Sequence, residues 1–236
     1  KMVESIIGNP NIEFRLAKLD PNGNCTSGIN RIMSDMTDQA NDCIKELIAW
    51  DDTKYVNVWV VEDIDNTIGA AAYTYLPGTL WGDEVEGIII NHEYVGSIGA
   101  SSNTPYKRHT LSHEFGHFFN LSHTWGWGDN GDNDNCSGDD GVSDTPNTIG
   151  AYSTCNLSQV SCGSLDNIQN FMDYSSCTCM FTIGQSNRMQ SCLNSSVSGR
   201  NNLWSNNNLW DTGAHDNYSA DGCPPVIDFF ISELDR

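Results

Sequence analysis

The run His113-Glu114-Phe115-Gly116-His117-Phe118-Phe119-Asn120-Leu121-Ser122-His123 constrains this chain more than any other stretch. Residues four apart share one helical face, so His113 and His117 aim both imidazoles at one point. Glu114 projects from the adjacent flank, where it reaches a metal-held water as a general base. The helix must then stop near Asn120 and the chain must turn sharply, bringing His123 round as a third nitrogen. Three protein ligands with a fourth position left to water is the open arrangement of a catalytic zinc site, not a closed structural one. The five-residue pattern alone also fits a helix with ordinary surface or core histidines. His123 is what argues against that.

Around this segment the periodicity predicts strands and helices first and loops second. Ile12–Lys18 alternates as a half-buried strand and ends at the turn Asp20-Pro21-Asn22-Gly23. A helix is expected from about Asp38 to Trp50, with Ile44, Leu47 and Ile48 on one face. Strands follow at Val56–Ile64, Ile68–Leu76 and Gly87–Asn91, then the histidine helix from about Thr110 to Leu121. After His123 the chain turns to Gly, Asp, Asn and Ser, and irregular structure is expected, with a last helix over Ile183–Leu193. From Asp211 onward the sequence reads as a tail. Its Cys-Pro-Pro followed by Val-Ile-Asp-Phe is compatible with the entry to an Ig-like or polycystic-kidney-disease-type module, and equally with a simple strand. The expected division is 1–123, an upper subdomain ending in the helix; 124–212, a lower one; and 213–236, a tail or linker.

Charge excludes several function classes. Eleven Lys+Arg face 31 Asp+Glu, a net charge of −20, which repels phosphate backbones and argues against a nucleic-acid partner. No apolar run approaches the roughly 20 residues that a membrane span needs. Nine cysteines, several in polar loops, fit an oxidising compartment and disulfides, so a secreted, extracellular protein is expected. Lys1 reads as an internal start, as in a processed chain. Asp129, Asp132, Asp134, Asp139, Asp140 and Asp144 interleave with Gly and Asn, a density of hard oxygens that suits Ca²⁺ but lacks EF-hand spacing. A solvated loop is the plainer reading. Small side chains at Ala70, Ala71 and Ala72 let a peptide backbone approach and add as a strand, or simply pack under a loop. Trp125 and Trp127 either wall a cleft or fill a core. His92, His109 and His215 belong to no motif, and Cys177-Thr178-Cys179 has no second pair with which to hold zinc.

The stretches IEFRLAKLDPNG, NVWVV, HEFGHFFNLSHTWG, DDGVSDTP, NFMDYS and FTIGQSNRM, in this order over residues 12 to 190, resemble the metzincin zinc metalloproteases. Within them the chain is similar to the pappalysin-like family, of the cytophagalysin/ulilysin type. The resemblance implies an α+β metzincin-type catalytic domain: a twisted, mostly parallel sheet and the active-site helix above an irregular, disulfide-rich lower subdomain. It makes His113, His117 and His123 the zinc ligands, Glu114 the general base toward a zinc-bound water, and Met172 the methionine of the Met-turn beneath the metal. Tyr174 takes the place of a tyrosine that stabilises the tetrahedral intermediate, and its other reading is a packed core residue. The implied activity is a secreted endopeptidase acting on proteins or peptides; the alternative is a calcium-dependent binding or adhesion module with a silent metal site. For calcium the resemblance offers Asp140 and Thr145, then Asp144 and the carbonyl of Val142. For disulfides it implies Cys136–Cys162 and Cys155–Cys179, while sequence proximity alone adds Cys25–Cys43. Where the family has Gly this chain has Asn120, the next most tolerant residue for a left-handed helix exit. The family's first strand and helix are expected to lie mostly upstream of Lys1. Basic-residue selectivity, usual in the family, lacks its acidic neighbour at Cys177–Cys179.

Overall fold

Ile88, Ile89 and Ile90 are completely buried in the computed structural model, which describes residues 6–66, 68, 70–80, 84–101, 104–126, 136–150, 153–219 and 223. They belong to β4, and the chain order is β1 (Ile7–Gly8), β2 (Asn57–Val61), β3 (Ala72–Thr74), β4 (Gly87–Asn91), α1 (Pro105–Phe118), β5 (Val160–Ser161), β6 (Ser164–Leu165), β7 (Phe181–Thr182), α2 (Ile183–Leu193), α3 (Arg200–Leu203) and α4 (Asn206–Asp211). β4 is the middle of a three-stranded sheet, parallel to β2 and antiparallel to β3. Its apolar run is covered on both faces, as a central strand requires. Ile89 packs with Trp59, Val61, Ala40 and Ile44 on one side. Ile88 and Ile90 meet Ala72, Leu111 and Phe115 on the other, which seats α1 against the sheet.

α1 starts earlier than the apolar pattern predicted. Thr104 accepts a hydrogen bond from the Lys107 amide and Pro105 occupies the first turn, a capped, proline-led helix start. Below it, Phe118, Phe119, Leu121, Met172, Phe181 and Met189 form a second core that joins α1 to the lower half of the molecule. α2 has the predicted bounds, because Thr182 and Gln185 close a reciprocal capping box.

Two expected elements do not form. Residues 38–50 give short 3₁₀ turns, Asp35–Thr37 and Asp42–Glu46, instead of one helix. Ala40 is held extended by bonds from its amide to Asp63 O and from Asp65 N to its carbonyl, and Asn41 caps the turn that follows. Ile12–Lys18 neither alternates in burial nor pairs with a strand among the described residues. Phe14 and Leu16 are half exposed, and a groove of about 1420 Å³ separates this segment from β2. Phe115 and Phe119 also line this groove, where Phe14 stacks on Phe115 with ring centroids 4.0 Å apart.

Three disulfides are present among the described residues: Cys25–Cys223, Cys136–Cys162 and Cys155–Cys177. The first corrects the expected Cys25–Cys43. Lys18 and Leu19 both bond to Thr212 O, drawing the turn that carries Cys25 to the C-terminal region, whereas Cys43 stays exposed on its 3₁₀ turn. The third corrects Cys155–Cys179. Ser153 N bonds to Tyr174 O and Ser176 N to Thr154 O, which aligns Cys155 with Cys177. Cys179 is instead tied to Gln169 O through its own amide, and its thiol is free.

Candidate metal centre

α1 ends where the third histidine requires it to. Asn120 has φ +71°, its amide bonds to His117 O, and the Leu121 amide reaches back to Gly116 O. These two bonds make a Schellman exit, with Asn in the position that glycine usually holds. The exit leaves the Leu121 carbonyl free to accept from His117 Nδ1 at 2.7 Å. His113 Nδ1 lies 2.6 Å from Phe171 O in the same way. A carbonyl only accepts, so each Nδ1 carries the proton and each Nε2 presents a lone pair.

The three Nε2 atoms form a triangle, 3.1 Å between His113 and His117, 3.1 Å between His117 and His123, and 3.3 Å between His113 and His123. Lone pairs at such distances repel unless a cation lies between them. Tetrahedral Zn–N bonds of about 2.0–2.1 Å place their nitrogens about 3.3 Å apart, so the donor set fits zinc. Burial, with the neighbouring His117 imidazole, pushes His113 down to about 3 against the opposing Phe171 carbonyl. Burial alone takes His117 to about 4, and His123 is lowered well below its ordinary value. All three imidazoles are held neutral at physiological pH, the form in which they can bind a metal. Among the described residues no other set of His, Cys, Asp and Glu converges in this way.

Glu114 is buried beside His113, and its Oε2 has no hydrogen-bond partner. Burial pushes its carboxyl up to about 8, the environment of a group suited to exchanging a proton. Met172 is fully buried beneath α1, and a Cβ at Gly116 would overlap its sulfur. Gly116 is therefore a site residue that the motif reading passed over. Its signal was a glycine inside a helix with no turn to explain it. The carbonyls of Phe171 and Leu121 were likewise missed, because backbone acceptors leave no mark on residue type. The Tyr174 ring lies 5.5 Å from that of His113 and 4.9 Å from that of His123. Trp125 is buried and stacks on His123, so it is not a solvent-facing wall.

Of the calcium candidates, Asp140 and Thr145 each bury an oxygen without a partner. Burial raises Asp140 to about 6, reinforced by Asp139 and opposed by the Val142 amide, Arg188 and the nearby Thr145 hydroxyl. The Asp144 carboxylate is engaged instead with Thr182 Oγ1 and the Gly184 amide at the start of α2, and the Val142 carbonyl accepts from the Thr145 amide. Asp129, Asp132, Asp134 and Trp127 lie outside the described residues. Ala72 opens β3 at the free edge of the sheet, with Ala71 and Ala70 just before it.

The Peptidase_M43 family, described as pregnancy-associated plasma protein-A, matches residues 38–194, more than half the chain. The chain belongs to this family. An extracellular metalloprotease of Neurospora crassa is 37% identical over 152 residues, 60% of this chain and 49% of that protein. Extracellular metalloprotease 1 of Coccidioides posadasii is 36% identical over 143 residues, 58% and 48% of the two chains. The M43 chain thus spans about half the length of the curated relatives it matches. Its fold is similar to that of mirolysin. A structure of mirolysin in complex with compound 9 matches with a TM-score of 0.71 and 32% identity, over 88% of this chain and 80% of that one. Mature mirolysin of Tannerella forsythia in complex with a cleaved peptide matches with a TM-score of 0.65 and 32% identity, over 88% and 79%. The expected pappalysin-like, metzincin-type α+β architecture holds.

Proposed function

We propose that this M43 domain is a zinc endopeptidase acting on polypeptides outside the cell. The observation that carries the reading is the Nε2 triangle, with Glu114 buried one residue from its first ligand and its Oε2 unpartnered. When bound, zinc supplies Lewis acidity to a peptide carbonyl and acidifies a coordinated water. His113, His117 and His123 hold the ion, and the carbonyls of Phe171 and Leu121 fix the first two rings. Glu114 takes the proton from the attacking water and returns it to the departing amine. Tyr174 stands against two of the ligand rings, where its phenol donates to the carbonyl oxygen as charge develops. The edge at Ala70–Ala72 receives the substrate backbone as an added strand. The cleaved peptide bound to mirolysin supports a polypeptide substrate, and the relatives' printed names and the three disulfides among the described residues support secretion.

Calcium is proposed at Asp140 and Thr145, whose buried Oδ2 and Oγ1 are hard oxygens of the kind that cation binds. Asp144 and Val142 are weaker candidates because both are engaged elsewhere. The test of the main reading is cleavage of an unbiased peptide library by wild type and by Glu114→Ala. Cutting by the wild type alone supports hydrolysis through Glu114. If neither cuts while both hold one zinc, the protease reading fails for this chain and the binding-module alternative takes its place.

A further inference from the structure

His113 and His117 have their rings locked by Nδ1–carbonyl hydrogen bonds and by α1 itself. His123 has neither support. It lies past the end of the helix, and among the described residues its Nδ1 has no hydrogen-bond partner. What holds its ring is aromatic packing. The Trp125 ring lies parallel to it, with centroids 4.4 Å apart and planes at 12°, and Tyr174 meets both edge-on, at 4.9 Å from His123 and 5.0 Å from Trp125. The indole is itself pinned, being fully buried, and a Cβ on Gly150, which has φ +82°, would sit 2.5 Å from its ring.

We infer that Trp125 is the positioning residue of the third zinc ligand, setting the plane of the His123 imidazole by stacking where its two partners use carbonyls. The inference rests on the zinc reading above and deepens it. A ring free to rotate about its side-chain torsions presents its lone pair to the ion only part of the time. Removing the stack therefore weakens metal binding without touching a ligand. Gly150 and the loop that carries it then contribute to the metal site through the indole.

The test is zinc affinity by competition with a chromophoric chelator, together with the visible spectrum of the cobalt(II)-loaded protein. Trp125→Leu is expected to weaken zinc binding by about 10–100-fold, the usual cost of losing a group that orients a ligand, and to diminish the tetrahedral cobalt bands. Trp125→Phe keeps a stacking ring and recovers most of the affinity. Gly150→Ala, which keeps the indole but displaces it, weakens binding in the same direction. Trp59→Leu removes a buried tryptophan from a different core and leaves zinc affinity unchanged. A folded Trp125→Leu or Gly150→Ala protein that binds zinc as tightly as wild type overturns the inference. So does a loss in Trp59→Leu equal to that in Trp125→Leu. Wild type that holds no zinc at all overturns the metal reading itself, and this inference with it.

Discussion

The Arg200 guanidinium and the Glu86 carboxylate form an ion pair sealed inside the molecule, with side-chain exposures of 0% and 8%. The pair ties three regions together. Arg200 Nε donates to Phe118 O at the end of α1, and the guanidinium lies over the Phe118 ring. Glu86, just before β4, accepts from the Gly78 amide beyond β3 and from the Ser198 hydroxyl. One carboxylate thus links the exit of the histidine helix to the end of the sheet's edge strand.

Removing one member of this pair strands a buried charge. Arg200→Met is expected to cost about 3–5 kcal/mol, whereas Arg200→Met combined with Glu86→Met recovers much of that loss. Urea melts of the metal-loaded protein read both. Equal loss in the single and double variants would show that the packing on Phe118, and not the charge, is what matters.

Glu114→Gln keeps the shape of the side chain and removes its basicity. The variant should bind zinc as wild type does and lose about 10²–10⁴-fold in kcat/KM. Chelator competition and peptide hydrolysis measured side by side separate the two effects.

Asn120 accepts a left-handed conformation that glycine adopts freely. Asn120→Gly should leave stability unchanged or raise it slightly, while Asn120→Ala should lower it by about 1 kcal/mol. Thermal melts check the order Gly, Asn, Ala. Any other order would mean that the Asn120 side chain contributes beyond its backbone.

Burial holds Asp140 near 6, above its ordinary 3.8, so the folded state keeps this proton more tightly than the unfolded chain does. Stability from this group is therefore lost as pH rises from about 4 through 6, and above that the ionised carboxylate is a full penalty unless a cation neutralises it. Calcium should raise Tm most above pH 6 and progressively less toward pH 4. Asp140→Asn should abolish the calcium-dependent part. A calcium effect that does not vary with pH would exclude Asp140 as the principal ligand.

Cys155–Cys177 closes a loop, and Cys179 is a free, exposed thiol. Cys177→Ser is expected to cost about 3 kcal/mol through the loosened unfolded state, and Cys179→Ser under about 0.5 kcal/mol, as for a surface change. Peptide mapping without reduction gives the pairing directly.

Much of the site was legible because its chemistry is local. Spacings of four and six residues place His113, His117 and His123 around one point, and α2 and β4 keep their predicted bounds because capping and apolar runs act within a few residues. The segment 38–50 was illegible for the opposite reason. Its helical pattern loses to backbone bonds between Ala40 and residues 63–65, a contact that no local window contains. The same holds for the close approach of Met172 to Gly116, which joins residues far apart in the chain.

Residue order thus carried the convergence of the three histidines and the need for a left-handed exit at Asn120, since each follows from helical geometry over a few positions. Only tertiary structure decided which cysteines pair, which carbonyls accept from His113 and His117, and that the Trp125 ring stacks on His123. Those choices depend on which distant segments pack together. They are fixed by contacts between residues far apart in the chain, such as the approach of Lys18 and Leu19 to Thr212 that brings Cys25 to Cys223.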